Sequence, residues 1–235
     1  MIKAVRIVCH GLSNGFRTPL SQSVQDSLSL PTPTQLIGLL GAASGTSRFG
    51  LSDLYSKFKV GVVGTYKTRF QDLTKVLKYA SGGKIKNPTN PTSLLIRENL
   101  FDSDFTIWYL PQSDISVEYV KNSFLNPKYA LSLGRDDEII RIDEVRVVEL
   151  REANESIIHD TIIPFILDLK FESIIDSDDT MFPLIPIQLP RSFDTDPNMV
   201  RTPKNFVSYV FIEGYKIKTT RSGALDDNGT QFFPL

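Results

Sequence analysis

The order of strand-like and helix-like stretches in residues 1–150 limits the folds that this chain can adopt. Four stretches have the alternation or the β-branched and aromatic composition of strands, and they are residues 2–9, 59–66, 105–110 and 139–150. Helices are predicted between the first and second strands and between the third and fourth. Strand, helix, strand, strand, helix, strand is the ferredoxin-like order, which RNA-recognition motifs (RRMs) also use. We therefore predict an α+β fold built on a ferredoxin-like, RRM-type domain.

The first long helix has the clearest start signal. Thr32 is the expected N-cap, Pro33 occupies the first helical position, and Gln35 completes a capping box. The helix should end near residue 45. Its three glycines share one face because they are spaced three and four residues apart: Gly38, Gly41 and Gly45. Close packing inside the fold and contact with a ligand both explain such a face, and close packing is the commoner reason.

The remaining elements are less sharply marked. A short helix is expected near residues 52–58, and a second long helix should begin with Ser113 as its N-cap and end near Leu125. The acidic pair Asp143-Glu144 can break the strand at residues 139–150. Beyond residue 157, prolines and short apolar runs predict strands and loops, with residues 207–217 the clearest strand. We divide the chain into a ferredoxin-like domain, residues 1–150, and a β-rich C-terminal extension packed on it, residues 151–235.

Composition excludes several classes of protein. Hydrophobic residues make up 41% and charged residues 23% of the 235 residues, which is ordinary for a globular chain. The longest apolar run is too short to cross a bilayer, so no membrane partner is expected. The single cysteine, Cys9, cannot form an internal disulfide. With no export signal at the N-terminus, the expected location is the reducing cytoplasm.

Charge is distributed unevenly along the chain. Residues 1–97 contain 13 Lys and Arg but 3 Asp and Glu, whereas residues 98–235 contain 13 Lys and Arg against 24 Asp and Glu. A basic half favours an anionic partner such as phosphate, although the two halves could also neutralise each other in the fold. Basic residues are densest in residues 66–97, where Asp72 is the only acid: Lys67, Arg69, Lys75, Lys78, Lys84, Lys86 and Arg97. Turn residues in the middle of this stretch predict a protruding basic hairpin or loop.

Signatures of common catalytic and metal sites are missing from the sequence. One cysteine and two histidines cannot supply a zinc spacing, and the chain has neither a phosphate-binding glycine loop nor a nucleophile elbow. The acidic runs at residues 136–138 and 176–179 are more typical of a solvated surface than of a metal site. Cys9 and His10 are adjacent on a strand and should face opposite sides. We therefore expect no cofactor and no catalytic metal.

Four stretches, in order along the chain, resemble the CRISPR-associated protein 5 family. They are Phe16-Arg17-Thr18-Pro19, residues 31–45, residues 96–109 and residues 129–135. The resemblance covers about residues 1–150. It implies a ferredoxin-like fold with a basic thumb, here residues 66–97, and a place in a type I Cascade complex, with a type I-B-like system as the expected subtype.

The resemblance also implies partners and a binding site. Family members hold the 5′ handle of the CRISPR RNA (crRNA) and lie beside a backbone subunit and a large subunit of Cascade. Phosphates and unstacked bases of a single-stranded handle would meet basic side chains and the amides at the N-terminus of the Thr32 helix. The predicted RNA-binding residues outside the thumb are Arg17, Ser21, Gln22, Thr34, Gly38, Gly134 and Arg135. Arg17 could instead tie down its own loop, and Arg135 could pair with Asp136 or Asp137.

Two other functions compete with non-catalytic RNA binding. One branch of the family cuts repeat RNA without metal, using a tyrosine, a lysine and a histidine. Tyr66-Lys67 lies beside the thumb, but neither His10 nor His159 lies in a stretch that aligns with that branch, so no general base is evident. The third possibility is a protein scaffold that contacts no RNA. The seven basic residues of the thumb argue against it.

Overall fold

The computed structural model describes residues 2–19, 21, 24–77, 91–112, 115–153, 156–165, 171–174, 185–219 and 223–235. The described chain is strand-rich and mixed α+β, with three helices among these residues. The predicted α+β class is therefore confirmed. No helix in the described ranges is long and apolar enough to span a membrane.

Six elements build the centre of the fold. The four strands are β1 (Ile2–Asn14), β5 (Phe58–Leu77), β6 (Thr92–Pro111) and β7 (Ile140–Ala153), and the helices between them are α1 (Pro33–Ser44) and α3 (Val117–Leu125). The strands lie side by side in the order β7-β1-β6-β5, and all neighbours are antiparallel. The connectivity is the predicted β-α-β-β-α-β order. Three short strands, β2 (Phe16–Arg17), β3 (Val24–Gln25) and β4 (Ser27–Leu28), lie between β1 and α1. A short helix, α2 (Leu51–Lys57), precedes β5.

Some boundaries differ from the predictions. The helix α3 begins after an N-cap at Ser116, whose hydroxyl accepts a hydrogen bond from Glu118 N, so the predicted start at Ser113 is wrong. Ser113 itself lies outside the described residues. The strand β7 is continuous, but its register against β1 shifts by one residue at Asp143, which forms a bulge. The acidic pair thus bends this strand without ending it.

The strands β5 and β6 continue far beyond the sheet as a two-stranded hairpin. Their pairing runs from Phe58 opposite Pro111 to Leu77 opposite Thr92, whereas the second strand was predicted to stop at residue 66. We call residues 66–77 and 91–103 the described hairpin arm. Residues 66–77 and 92–103 contain no Gly or Pro and several β-branched and aromatic residues, which sustains the ladder through the basic stretch. Residues 78–90, which connect the two strands in sequence, lie outside the described residues.

The two faces of the sheet are covered differently. On one face, Val5, Ile7 and Tyr109 pack with α1 and α3 in the main core. On the other, which we call the helix-free face, Trp108 and Leu150 belong to a smaller cluster. Strand alternation explains the division, since Ile107 and Tyr109 point to the helices while Trp108 points away.

The C-terminal part of the chain forms strands that pack on this sheet. Its eight described strands are β8 (Ser156–His159), β9 (Ile162–Pro164), β10 (Phe171–Ile174), β11 (Ile187–Thr195), β12 (Arg201–Phe211), β13 (Lys216–Thr219), β14 (Gly223–Leu225) and β15 (Gln231–Phe232). The strands β14 and β15 extend the central sheet beyond β7. The single strand predicted at residues 207–217 is wrong, because the chain turns between β12 and β13.

The end of the chain closes the helix-free face. The ring of Phe232 stacks on Trp108 with centroids 4.1 Å apart and an angle of 10° between the planes. Both side chains are fully buried. Gly61 lies beneath Phe232, whose ring would overlap any side chain at that position. The division at residue 150 remains a prediction, and β7 runs past it.

Candidate nucleic-acid interface

A cleft of about 960 Å³ lies along α1 and gathers several of the predicted residues. Its walls are α1, the chain around β2 (Phe16–Arg17), residues 129–136, and the β11–β12 hairpin. We call it the α1 cleft. Four of the residues predicted to bind RNA line it: Arg17, Thr34, Gly38 and Gly134. These residues are up to 117 positions apart in sequence, and the fold brings them to one surface.

Arginines dominate the charge of the α1 cleft. Arg17, Arg48 and Arg201 line it, and Asp136 is the one acidic residue among the described lining residues. In the described part of the chain, neither Arg17 nor Arg48 lies within ion-pair distance of a carboxylate. Both are exposed. Free guanidinium groups at a concave surface favour phosphate, which they can bind with two parallel hydrogen bonds.

The N-terminus of α1 opens into the same cleft. The capping box is confirmed, since Thr32 Oγ1 accepts a hydrogen bond from Gln35 N at 3.4 Å and Gln35 Oε1 accepts one from Thr32 N at 2.8 Å. The first turn of α1 contains no acidic residue that would offset the positive end of the helix dipole. Thr34, one residue inside the helix, lines the cleft. The helix end therefore adds partial positive charge to that of the arginines.

The glycines of α1 serve different purposes. A side chain at Gly41 would overlap Leu51 of α2, so close packing explains this glycine. Gly45 caps the helix with a φ of +75°, where glycine is preferred. A Cβ atom at Gly38 would meet nothing within 4 Å, and Gly38 lines the cleft. Packing therefore accounts for Gly41 and helix capping for Gly45, whereas Gly38 leaves the helix backbone open to a bound molecule.

A buried carboxylate organises the turn at residues 134–138. Glu138 Oε2 accepts hydrogen bonds from Gly15 N at 2.9 Å and Arg135 N at 2.6 Å. Gly134 has a φ of +117°, and a side chain there would overlap Glu138. Burial raises the pKa of the Glu138 carboxyl, while the two backbone hydrogen bonds and Arg135 oppose that rise. The expectation of a solvated acidic surface is therefore wrong for Glu138.

The Arg135 guanidinium turns toward this carboxylate and not toward open solvent. Arg135 Nη2 lies 2.5 Å from Glu138 Oε1 and also donates to Asn99 Oδ1, and Arg135 Nε lies 3.8 Å from Asp137 Oδ1. Pairing with Asp137 was one expected alternative, but the closest partner, Glu138, was not foreseen. The described contacts of Arg135 support the turn that carries Gly134. A contact of Arg135 with RNA remains a prediction.

The two basic residues at the root of the hairpin are held by acids. Lys67 forms an ion pair with Asp102. Arg69 donates to Glu98 at 3.0 Å, to Glu213 at 2.9 Å and to Ser27 O at 2.9 Å. Arg69 therefore ties the hairpin to the C-terminal part of the chain. Acidic residues of the C-terminal half therefore neutralise the charges of Lys67 and Arg69, which was the alternative explanation of the uneven charge. RNA contact by Lys67 or Arg69 remains a prediction.

The described hairpin arm exposes apolar as well as basic side chains. Lys75 is exposed, and Arg97 is partly buried. Four large aliphatic residues share the face of Lys75 and are partly or largely exposed: Leu73 (62%), Leu77 (51%), Leu94 (66%) and Ile96 (37%). Lys78, Lys84 and Lys86 lie outside the described residues.

Two predicted residues belong to the loop after Arg17. Gln22 lies outside the described residues. The Ser21 hydroxyl accepts a hydrogen bond from Asp26 N at 3.2 Å and supports this loop.

The residues considered for RNA cleavage fall on opposite faces of the sheet. His10 and Lys67 approach the same carboxylate, Asp102, with His10 Nε2 at 3.4 Å from it. The Tyr66 hydroxyl contacts Glu213 and accepts a hydrogen bond from Arg69 Nε at 2.7 Å on the other face. The hydrogen bond to Asp102 raises the pKa of Lys67, so this amine stays protonated. The tyrosine, lysine and histidine therefore do not form one group.

Sequence reasoning missed two arginines of the α1 cleft. Arg48 follows α1 in an irregular loop, and Arg201 begins β12 in a part of the chain that shows no distinctive motif. Charge spacing marked neither residue, since Asp53 and Asp196 each lie five residues from Arg48 and Arg201, respectively. Without the fold, nothing indicates that Arg201 lies opposite α1.

Comparison with known proteins identifies the family. A family model named Cas_Cas5d and described as "CRISPR-associated protein (Cas_Cas5)" matches residues 14–199. The match spans well over half of the chain, so the protein belongs to the CRISPR-associated protein 5 family. Neither the name nor the description says type I-B, and that subtype remains a prediction. No curated protein matches this chain significantly.

Solved structures share the fold at low sequence identity. A chain of a "CRISPR RNA-guided surveillance complex" matches with a TM-score of 0.56 and 15% identity, covering 97% of this chain and 92% of its own. A CRISPR protein from Archaeoglobus fulgidus matches with a TM-score of 0.57 and 11% identity over 100% of both chains. A chain of the type III-B Cmr-beta complex bound to cognate target RNA and AMPPnP matches with a TM-score of 0.51 and 13% identity, covering 91% and 86%.

Proposed function

We propose that this protein is a non-catalytic RNA-binding subunit of a type I CRISPR surveillance complex, Cascade, and that it holds the 5′ handle of the crRNA in the α1 cleft. The observation that carries the proposal is the cluster of Arg17, Arg48 and Arg201 around an open helix N-terminus in a member of this family. Phosphates of a single strand would contact Arg17 and Arg48, and unpaired bases would lie against the cleft wall that includes Arg201. The protein would act in the cytoplasm.

The proposed site differs from the surface that an RRM uses. An RRM binds RNA on its open sheet face, where aromatic side chains stack on bases. In this protein the corresponding surface, the helix-free face, is covered, because Phe232 already stacks on Trp108. Ion pairs occupy more of the same face, including Arg6 with Glu144 at 2.9 Å and Arg146 with Asp227 at 3.1 Å. The α1 cleft is the arginine-lined alternative on the other side.

The hairpin would serve as the thumb in the assembly. Its exposed aliphatic residues around Lys75 suit a site where RNA and a protein neighbour meet, since apolar contact and phosphate contact are available together. We assign this surface to the backbone subunit of Cascade. The large subunit would dock elsewhere on the body formed by the ferredoxin-like domain and the C-terminal extension.

One observation favours the competing endoribonuclease function. His10 and Lys67 meet at Asp102, and a histidine and a lysine can supply a base and a stabilising cation for attack by a 2′-hydroxyl. The separation of Tyr66 and the engagement of Lys67 by Asp102 weigh against it. Incubation with repeat RNA, with and without divalent metal, should leave the RNA intact. Site-specific cuts that disappear in a His10→Ala variant would show that the protein is an enzyme.

The RNA-binding proposal is tested by the salt dependence of affinity. A single-stranded RNA of the 5′ handle should bind with an affinity that falls steeply as salt rises. Arg17→Ala and Arg48→Ala should each weaken binding at low salt and lower the slope of log affinity against log salt by about 1. Arg141→Ala is the matched control, because Arg141 is 70% exposed but lies on the helix-free face.

The outcome that contradicts the proposal is equally clear. If the RNA affinity of the unaltered protein did not change with salt, the protein would not make the phosphate contacts on which the proposal depends. Equal losses of affinity in Arg141→Ala and Arg17→Ala would show that binding follows total charge and is not localised in the α1 cleft.

A further inference from the structure

We propose that Arg201 and Phe193 form a platform on which one unpaired base of single-stranded RNA stacks. This inference rests on the proposed RNA-binding function and assigns a distinct contact within it. The guanidinium carbon of Arg201 lies 4.3 Å from the centroid of the Phe193 ring. Both side chains line the α1 cleft. The cation and the ring thus lie together at the wall where RNA would lie.

The guanidinium of Arg201 is fixed by two neighbours. Phe193 and Arg201 are held near each other because Thr195 pairs with Arg201 across the β11–β12 ladder. Arg201 Nη2 also donates a hydrogen bond to the Tyr55 hydroxyl at 3.2 Å. Tyr55 belongs to α2 and is only 8% exposed. A cation held in this way loses little further freedom when a ligand binds, which favours a defined stacking contact.

The geometry favours a base over a phosphate at Arg201. The guanidinium carbon of Arg201 lies over the Phe193 ring and Nη2 is bonded to Tyr55, while Arg201 as a whole remains exposed. The open face of a guanidinium stacks well on the flat ring of an unstacked base. Among the described residues, Arg17 and Arg48 have no such partners, and we assign these two as the phosphate contacts. Tyr129, 64% exposed on the wall formed by residues 129–136, offers a second ring in the same cleft.

The ligand class is therefore an unstacked nucleobase, with little preference among the four. Stacking tolerates any base because every base has a flat aromatic face. Phosphate contacts fix the path of the strand, and the platform fixes which nucleotide turns inward. The platform would thus set the register of the RNA in the cleft.

The experiment uses the fluorescent base 2-aminopurine, placed at one position after another of a single-stranded 5′-handle RNA. Stacking quenches its fluorescence, and the full-length protein should quench it strongly at one position. Arg201→Lys keeps the charge but loses the plane, and Phe193→Leu keeps an apolar side chain but loses the ring. Both should abolish the position-specific quenching and weaken binding about tenfold, with the salt slope unchanged.

Two further variants keep the test decisive. Phe193→Tyr retains a ring and should quench and bind like the unaltered protein, which answers the objection that Phe193→Leu merely disturbs folding. Arg191→Lys is the control on the same hairpin, because Arg191 does not line the α1 cleft. Melting temperatures of all variants establish that they are folded.

The contrary results separate the two proposals. If Arg201→Lys binds and quenches like the unaltered protein while Arg201→Ala lowers the salt slope by about 1, Arg201 is a phosphate contact and the platform is refuted. RNA binding without quenching at any position would refute the platform as well. If the unaltered protein binds no RNA, the proposed function itself fails.

Discussion

Replacing Phe232 with alanine should destabilise the protein strongly while leaving RNA binding intact. Phe232 is fully buried and stacks on Trp108. Loss of its burial costs about 2 kcal/mol, loss of the aromatic pair about 1 kcal/mol, and the remaining cavity about another 1 kcal/mol. A loss of about 4 kcal/mol should lower the melting temperature of a chain of this size by about 8–16 °C. RNA affinity should stay within about twofold, because the α1 cleft lies on the other side of the sheet.

The assay pairs thermal unfolding with RNA binding, the latter measured at a temperature where the variant is fully folded. Phe206→Ala is the matched control, since Phe206 is 51% exposed and its loss should change stability by no more than about 0.5 kcal/mol. Loss of RNA affinity by tenfold or more in folded Phe232→Ala, with little change in melting temperature, would refute the reasoning. That result would make the helix-free face an RNA surface, as in an RRM.

Three further predictions concern the turn, the thumb and pH. Gly134→Ala should lower the free energy of unfolding in urea by about 2–4 kcal/mol, because the φ of Gly134 is +117° and a Cβ would overlap Glu138. Gly214→Ala is the control: Gly214 has a φ of +72° and open space around it, so this change should cost only about 1 kcal/mol. Replacing the four thumb lysines of the sequence, at positions 75, 78, 84 and 86, with alanine should leave the melting temperature almost unchanged but reduce the salt slope of RNA binding; an unchanged slope would remove the thumb from the RNA site. The hydrogen bond from Lys67 lowers the pKa of Asp102 from its ordinary 3.8, so this carboxylate adds stability above pH 3.8 that is lost as pH falls through its lower folded-state pKa. Lys67→Met should raise the pKa of Asp102 in an NMR titration, and an unaltered titration would show that the ion pair does not persist in solution.

Local sequence signals predicted the core elements well. The capping box at Thr32 and Gln35 specified the start of α1 within one residue, because the hydrogen bonds that make it are local. Strand alternation predicted that Cys9 and His10 face opposite sides, and Cys9 is buried while His10 contacts Asp104 at 3.1 Å. Burial raises the pKa of the Cys9 thiol to about 12, in keeping with a structural side chain.

What the sequence did not reveal depends on contacts between distant residues. Glu138 looks like part of an acidic surface run until the fold places Gly15 N beside it, 123 positions away. Arg201 joins the α1 cleft only because the β11–β12 hairpin folds back over α2. The sequence suggested that Arg69 is a free cation of the basic stretch, but in the structure it forms ion pairs with Glu98 and Glu213. Charge along the chain therefore overstated the basic surface of the hairpin root and missed part of the basic surface of the cleft.

The central claim, that RNA lies in the α1 cleft, is tested most directly by photo-crosslinking. Single-stranded 5′-handle RNA substituted with 4-thiouridine would be irradiated in complex with the protein, and the attached peptides would be identified by mass spectrometry. The account predicts crosslinks in the segments that contribute to the cleft, which are residues 16–19, 32–48, 129–136 and 189–201. Crosslinks confined to residues 102–108 and 141–148, on the strands β6 and β7 that form the helix-free face, would contradict it.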